Sequence, residues 1–478
     1  MRRIVPACLL VLALASCSDA GSQAGPTSAP VTSSSAAREQ PPPAPRIEPE
    51  AMAEYDASAE HSPNLVPVAA LTRTSPFDTH AAVGSDLAFT GDYAIAGNYE
   101  GFTIYDISQP ERPAVVSQVR CPGPQNDVTV SGNLLFLSVD LPMDGPGCDS
   151  TTNLRGGEDW EGLRIFDIAD KRNPRYVGAV DTPCGSHTAT LAPGTSPDVL
   201  HLYATSSPGR VGGTECVDIA GRISVVRVPV ADPAKASLVA NALIMPDGGT
   251  KPAADMIVGG CHDITVYAPK RLAAASCLGD GLILDVSDPV HPKVLDRVQD
   301  KENFAYWHSA VFSADGSKVV FSDEFGAGRS TECDPKTGGK WGANGVYDLA
   351  ADGKLTLRGH FKIPRKALAP KTCSAHNGSL VPVTGRDVMV QGWYEGGVSV
   401  IDFTDPERAE EVAWFQRGRP PVPDADVPGG VTGGSWAAYY YNGYIYSSDM
   451  FKGLDVLKLT GLPLREQRLT EFNPQTQF

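Results

Sequence analysis

The sequence predicts an all-β protein, a seven-bladed β-propeller in which the N-terminal strand closes the ring. Three observations support this prediction: a Gly–apolar–Asp segment that recurs seven times, short alternating apolar runs between turn residues, and 48 Gly and 40 Pro among 478 residues. So much Gly and Pro favours short strands joined by turns over long helices. The chain is therefore expected to be built from repeated small sheets.

The recurrent segment begins with Gly, continues through alternating apolar residues and ends in Asp, often followed by Ser or Thr, Asp and Pro. Its copies begin at Gly101, Gly162, Gly221, Gly281, Gly345, Gly397 and Gly453. In the second repeat, strand-like runs cover 127–130, 134–139, 163–168 and 176–180. Four short antiparallel strands per repeat are typical of a propeller blade. The Asp that ends each copy predicts an Asx turn.

The two ends of the repeat region complement each other. The last copy has no clear fourth strand after residue 459, whereas the run 65–71 precedes the first complete repeat and has the pattern of an outer strand. Pairing that strand with the last blade would cover an open sheet edge. We therefore assign residues 63–478 to the propeller.

The N-terminus carries export signals. Met1-Arg2-Arg3 is followed by an apolar run from Ile4 to Leu14 and then by Leu14-Ala15-Ser16-Cys17. This pattern predicts a lipoprotein signal peptide over 1–16, with Cys17 as the lipidated residue; the alternative is an ordinary cleaved signal peptide. Residues 17–62 are rich in Ser, Pro and Ala and are predicted to be a disordered tether. We expect an exported protein anchored in a bacterial cell envelope, in the periplasm or on the cell surface.

Eight cysteines remain after Cys8 and Cys17 are set aside, and an even number in an exported chain implies disulfides. Eight cysteines allow 105 connectivities. The repeat register favours one set: Cys121–Cys148, Cys184–Cys216, Cys261–Cys277 and Cys333–Cys373. The alternative is that Cys261 binds a metal.

Four of the nine histidines occupy one position of the repeat, the start of the innermost strand. These are His187, His262, His308 and His376, and the matching positions elsewhere are Ser85, Asn126 and Trp436. Innermost strands line the channel of a propeller, so the four imidazoles should converge and can bind a transition metal such as Cu, Zn, Fe or Ni. The alternative is that they only satisfy strand ends and channel water. The remaining histidines, 61, 80, 201, 291 and 360, are interpreted as surface or loop residues.

The loops that follow the second strands should open on the histidine side. They carry carboxylates and aromatic residues, from which we select Asp323, Glu324 or Tyr306 as a general acid or base. The predicted substrate mouth comprises Asn126, Trp393, Tyr394, Glu395 and Asp449. Solvated turn residues are the alternative for each of these positions. Asp86, Asp127 and Asp263 follow the histidine register by one residue and are expected to support ligands rather than bind metal.

These segments resemble the LVIVD-repeat family of exported bacterial β-propellers, named after the apolar strand that ends in Asp. The stretches 261–266 and 306–316 also resemble one branch of that family. The resemblance covers roughly residues 65–460. It implies a propeller fold and an exported location, but no particular reaction.

Two functions remain open at this stage. The first is a cell-envelope metalloprotein with a central four-His site, acting as a lyase or an oxidase on an extracellular small molecule or glycan. The second is a non-catalytic surface module that binds or scaffolds a protein or polysaccharide. The formal charge of −16 argues against a nucleic-acid partner, and there is no Gly-x-Ser-x-Gly elbow. We expect a monomer whose partners are the membrane, through its lipid, and an unidentified extracellular ligand or protein.

Overall fold

The Gly–apolar–Asp segments become the third strand of each four-stranded antiparallel group in a computed structural model of the chain. The structure describes residues 45–153, 159–206, 221–250, 260–304, 306–325, 339–365, 372–418, 420 and 433–477. At the end of four of these strands, the Asp side chain accepts a hydrogen bond from the backbone N–H two residues ahead. The acceptors are Asp106, Asp167, Asp285 and Asp402, at 2.8–2.9 Å. The predicted Asx turns are confirmed at these positions.

The described strands form seven such groups, which we number as blades 1 to 7. Blade 1 contains β3 (Gly84–Thr90), β4 (Tyr93–Asn98), β5 (Gly101–Asp106) and β6 (Ala114–Arg120), and blade 2 contains β7 (Gln125–Ser131), β8 (Leu134–Met143), β9 (Trp160–Asp167) and β10 (Arg175–Asp181). Blade 3 contains β11 (Ala189–Ser196), β12 (Val199–Ala204), β13 (Arg222–Pro229) and β14 (Ser237–Leu243), and blade 4 contains β15 (Ile264–Tyr267), β16 (Leu272–Cys277), β17 (Asp280–Asp285) and β18 (Lys293–Val298). Short 3-10 helices lie at Pro233–Lys235 and Ala268–Lys270.

The remaining blades follow the same order from the channel outward. Blade 5 contains β19 (Trp307–Phe312), β20 (Lys318–Asp323), β21 (Asn344–Leu349) and β22 (Leu355–Phe361), and blade 6 contains β23 (Asn377–Val381), β24 (Val388–Gly392), β25 (Val398–Asp402) and β26 (Glu410–Gln416). Blade 7 contains β27 (Ser435–Tyr441), β28 (Tyr444–Asp449), β29 (Gly453–Leu459) and, from the N-terminal part of the chain, β2 (Leu65–Thr72).

The first strands of the blades lie around a common axis. Each contacts the first strands of both neighbouring blades, and β27 contacts β3, so the described inner strands form a circuit. Strand β2 pairs antiparallel with β29, from Leu65 opposite Leu459 to Thr72 opposite Gly453. Blades 6 and 7 share one continuous sheet, because Asn377 and Gly378 pair with Ala437 and Ala438.

Ordered elements begin before residue 63, where the sequence predicted only a tether. Helix α1 (Pro49–Ala57) is followed by β1 (Glu60–His61), which pairs with the outer strand of blade 6. Met52 and Tyr55 form a small apolar face on this helix, and both are buried. The Tyr55 hydroxyl donates to Asp449. The polar composition of the segment did not indicate this helix, because only two apolar residues, three positions apart, form the face that docks it. No helix among the described residues is long and apolar enough to cross a membrane.

The C-terminal tail extends along the inner strands at the end opposite the histidines. Strand β30 (Glu471–Phe472) pairs with β3, and β31 (Thr476–Gln477) pairs in parallel with β15. The side-chain amide of Asn473 bonds both the N–H and the carbonyl of Val130, at 2.7 and 2.8 Å. The tail therefore satisfies backbone groups on the free edges of the inner strands.

Two of the four predicted disulfides, Cys121–Cys148 and Cys261–Cys277, are formed. Cys184 and Cys373 are disulfide-bonded as well. Their predicted partners, Cys216 and Cys333, lie outside the described residues, as does Cys17, so those pairings and the lipidation stay predictions.

Candidate metal centre

The four histidines at the repeat register lie side by side at one end of the channel. The ring centroids are 4.0 Å apart for His187 and His262, 3.9 Å for His262 and His308, and 4.2 Å for His308 and His376. We call these four residues the imidazole arc. The structure therefore brings together the four side chains that the repeat register aligned.

Hydroxyl groups hold the starts of neighbouring inner strands at one height. Two hydroxyls that directly follow a register position donate to the register carbonyl of the next blade: Thr188 to His262 at 3.2 Å, and Ser309 to His376 at 3.1 Å. In blade 1 the register residue itself, Ser85, donates its hydroxyl to the carbonyl of Asn126 at 3.4 Å. These bonds run around the channel, so they keep the register residues level with one another.

Three of the imidazoles are oriented through Nδ1. His187 Nδ1 lies 2.7 Å from Asp140, and His262 Nδ1 lies 2.9 Å from Asp263. His376 Nδ1 donates to the carbonyl of Trp436 at 2.5 Å. Such contacts fix the tautomer, with the proton on Nδ1 and the lone pair on Nε2, as is usual for histidines that bind metals.

Glu324 approaches the arc from the end of blade 5. Its Oε2 lies 3.5 Å from His308 Nε2, and its Oε1 lies 3.8 Å from His376 Nε2. The Tyr394 hydroxyl donates to the same carboxylate. Burial, reinforced by the Glu324 charge, raises the pKa of Tyr394 well above its usual value, so this hydroxyl keeps its proton.

Two overlapping sets of residues place one ligand atom each within 4.8 Å of one another. They are His262, Asp263 and His308, and His308, Glu324 and His376. His308 belongs to both sets, and all their members are buried. Among the described residues His187 is in neither set, so the geometry centres on His308 rather than on four equivalent histidines.

The buried position also controls protonation. Burial lowers the pKa of His308 well below its ordinary value, and the neighbouring imidazoles lower it further. Burial has the same effect on His376, partly opposed by the hydrogen bond to Trp436. Neutral imidazoles are the form that binds metal ions, so these two rings need not lose a proton to do so.

The three residues predicted as acid or base differ in position. Glu324 lies within a ligand set, as described above. Tyr306 is buried, with its ring centroid 5.7 Å from that of His262. Asp323 is buried as well. Its oxygens accept hydrogen bonds from the backbone N–H groups of Tyr306 and Gly342, at 2.7 and 2.8 Å, so Asp323 holds the chain around blade 5 together.

The predicted substrate mouth is not an exposed surface, because all five of its residues are buried. Asn126 donates to the carbonyls of residues 98 and 121, and Trp393 packs between blades beside residue 361. Tyr394 bonds Glu324, and Glu395 accepts from the N–H of residue 372. Asp449 accepts from Tyr55 and from two backbone N–H groups. The chain folds inward after the second strands, so these side chains fix loops instead of meeting solvent.

The other histidines lie outside the arc. His61 and His291 are exposed and His80 is half-buried. His201 and His360 correct the sequence interpretation, because they lie in strands β12 and β22 and His201 is buried. His360 bonds Asp300 at 3.0 Å.

Sequence reasoning placed Asp140 in a loop on the histidine side but did not select it as a site residue. The available signal was its position directly after the apolar run 134–139 of a second strand; in the structure Asp140 lies within β8. The carbonyl of Trp436 gave no signal at all, since every residue carries one.

Comparison with known proteins gives one family match. The LVIVD repeat model matches residues 83–120, which span β3 to β6 and hence the whole of blade 1. No curated protein sequence matches the chain.

Three solved structures are similar in fold at low sequence identity. The β-propeller domain of Cps50 (Swd1) from Myceliophteria thermophila has a TM-score of 0.48 and 11% identity, covering 81% of this chain and 98% of that one. A protein from Lactobacillus plantarum has a TM-score of 0.46 and 12% identity, covering 84% and 96%. The Dos1 propeller has a TM-score of 0.46 and 12% identity, covering 84% of both chains. Its strand pairing makes the chain an all-β propeller, and the LVIVD repeat model matches its first blade.

Proposed function

We propose that this protein is a cell-envelope metalloprotein that binds one transition-metal ion at the imidazole arc. The observation that carries the proposal is the convergence of His308 Nε2 and His376 Nε2 on the carboxylate of Glu324. His262 adds a third imidazole on the other side of His308, and His187 completes the arc through His262.

The donor set narrows the choice of metal. Two imidazoles and one carboxylate are typical of catalytic Zn²⁺ and of non-haem Fe²⁺ sites. Cu and Ni remain outcomes of the measurement below. Three protein ligands would leave coordination positions for a substrate, as Lewis-acid catalysis or oxidation by dioxygen requires. We infer a lyase or an oxidase that acts on an extracellular small molecule, since the burial that keeps a polysaccharide from Trp393 and Tyr394 also keeps it from the ligand set.

The chain's own residues have definable roles in such a site. Asp140 and Asp263 orient two imidazoles through Nδ1. The Tyr394 hydroxyl stays protonated and donates a hydrogen bond to Glu324, and this bond holds the carboxylate in place. Burial of the whole set excludes bulk water and strengthens every charge interaction within it.

Elemental analysis of the full-length protein, purified without a His tag, tests the proposal. We expect about one equivalent of Zn or Fe per chain, as one such ligand set binds one ion. Glu324→Gln should lower metal affinity about tenfold or more, because a charged ligand is replaced by a neutral amide of similar size. Glu395→Gln is the matched control, since Glu395 is also buried but belongs to neither ligand set. A wild-type protein that holds no metal after reconstitution would contradict the proposal.

The alternative, a surface binding module, loses its proposed contact residues. Trp393 is fully buried and Tyr394 is 1% exposed, so neither can meet a protein or polysaccharide in solution. We therefore favour the metalloprotein.

We also propose that the protein is exported and anchored through lipid on Cys17. The N-terminal pattern of residues 1–17 supports this, as do the disulfides, which persist in oxidising compartments. Expression in a bacterial host should give a membrane-bound protein, and Cys17→Ser should release it into the soluble fraction. Intact-mass measurement checks the result. A wild-type protein without lipid mass would refute the anchor without affecting the metal site.

A further inference from the structure

A second ring of side chains lies immediately beyond the imidazole arc along the channel. It consists of the residue that follows each register position: Asp86, Asp127, Thr188, Asp263, Ser309, Asn377 and Ala437. We call this set the second ring. Its three carboxylates are all buried, with 0%, 4% and 1% exposure in chain order. Six of the seven residues have a side-chain oxygen, and none is Lys, Arg or His.

The donors that reach the second ring are already committed. Asp86 accepts from the Tyr439 hydroxyl at 2.6 Å and from Asn377 Nδ2 at 2.9 Å. Asp263 accepts a hydrogen bond of 3.5 Å from Nε2 of Gln475, a residue of the C-terminal tail. Both amides thus turn their nitrogen toward a carboxylate.

Three oxygens in this layer accept no hydrogen bond: Asp127 Oδ2, Asn377 Oδ1 and Gln475 Oε1. Each belongs to a side chain that is at least nine-tenths buried. Buried oxygens of this kind normally have a partner. The two amide oxygens belong to the same planar groups whose nitrogens touch Asp86 and Asp263, so all three open acceptors lie in the layer of the carboxylates.

This layer has more hydrogen-bond acceptors than donors. All three unpartnered atoms are acceptors, and no Lys or Arg of the described chain forms an ion pair with Asp86, Asp127 or Asp263. A single water molecule donates only two hydrogen bonds and carries no charge. A cation would satisfy the acceptors and compensate the carboxylates together.

We propose that the second ring, closed from below by Gln475, binds a hard divalent cation, and that this cation is Ca²⁺. Carboxylate and amide oxygens are the ligands that Ca²⁺ prefers, and an all-protein oxygen cage suits Ca²⁺ better than Mg²⁺, which retains several waters. The absence of imidazole and thiolate from the ring disfavours the metals expected at the arc. This site does not depend on the proposed function: the residue it shares with the candidate ligand sets is Asp263, and the set that carries the proposed function, His308, Glu324 and His376, does not include it.

The tail makes the proposed cation site dependent on the C-terminus. Gln475 is held in place by backbone bonding on either side: its carbonyl accepts from the N–H of Val266 at 2.8 Å, and the side-chain amide of Gln477 bonds the backbone of Phe312. A bound cation would in turn attach the tail to blades 1, 2 and 4.

Two substitutions of Gln475 test the proposal, because they should change the affinity for Ca²⁺ in opposite directions. Full-length protein is treated with EGTA, and its affinity for Ca²⁺ is measured by calorimetry, with Tb³⁺ luminescence as a second readout. Gln475→Leu should lower Ca²⁺ affinity about tenfold or more, whereas Gln475→Glu should preserve or raise it, since affinity follows the charge and number of oxygen ligands. Gln467→Leu is the control: Gln467 is an exposed glutamine eight residues earlier in the C-terminal segment, so this variant should retain wild-type affinity.

Two results would overturn the proposal. One is a wild-type protein that binds neither Ca²⁺ nor Tb³⁺. The other is a Gln475→Glu variant whose melting temperature falls equally with and without Ca²⁺, which would indicate that protons shared among the carboxylates compensate the ring. His308→Ala separates the two sites, because it should retain Ca²⁺ whatever happens at the imidazole arc.

Discussion

His308→Ala should abolish transition-metal binding, with a loss of affinity of about 100-fold or more. His308 is the only residue common to both ligand sets, so one substitution leaves each set with two members. Its imidazole also contacts the rings of His262 and His376, at 3.9 and 4.2 Å. Removal therefore opens the centre of the arc. Metal content by elemental analysis and the ligand environment by X-ray absorption are the measurements.

His360→Ala is the control for this experiment. His360 is also largely buried, packs near Phe304 and bonds Asp300, but it lies in an outer strand, away from the channel. The two variants remove the same number of atoms, so a general loss of packing would affect both. Equal loss of metal from both variants, or full retention in His308→Ala, would rule out the arc as the binding site.

The sequence was most informative where the fold is local and repeated. The Gly–apolar–Asp copies determined the third strands because each copy carries its own strand pattern and its own Asx turn. The same periodicity aligned the four histidines. Equivalent positions in successive repeats must lie level around a common axis, so the arc could be predicted without any long-range contact.

At the level of the site, the inner strands depart from the regular alternation of side chains that the sequence prediction assumed. Side chains of successive strand residues normally point to opposite faces. Four inner strands carry a register shift at this point, between 84 and 87, 125 and 127, 307 and 310, and 435 and 437. A bulge sets two residues against one and changes the direction of the strand locally. Such shifts arise from pairing in three dimensions, so a single repeat does not reveal them.

Other departures came from contacts distant in sequence. The Tyr55 hydroxyl bonds Asp449, nearly four hundred residues away, and Gln475 approaches Asp263 across the channel. No local pattern links these pairs. The predicted mouth failed for the same reason: Trp393 and Tyr394 follow a strand as loop residues do, but inward folding buries them against neighbouring blades.

Leu65→Asp should destabilise the propeller by about 4 kcal/mol or more, the range expected for an unpaired charge in a core. Leu65 begins β2, the strand that completes blade 7, and pairs with Leu459. It has no exposed surface and packs in the cluster shared by blades 6 and 7. The cluster around Leu65 contains no basic residue that could pair with an aspartate. Strand β2 should therefore detach and leave the edge of β29 open to aggregation.

Val66→Asp, one residue on, isolates the role of that buried face. Val66 is 37% exposed and lies opposite Lys458, so the new carboxylate would remain solvated and gain a cation across the strand pair. Its effect on the free energy of unfolding should stay within about 0.5 kcal/mol. Urea unfolding monitored by tryptophan fluorescence measures both variants. If β2 closes blade 7 as a structural strand, only Leu65→Asp shifts the midpoint; equal midpoints would mean that the N-terminal strand contributes nothing to ring stability.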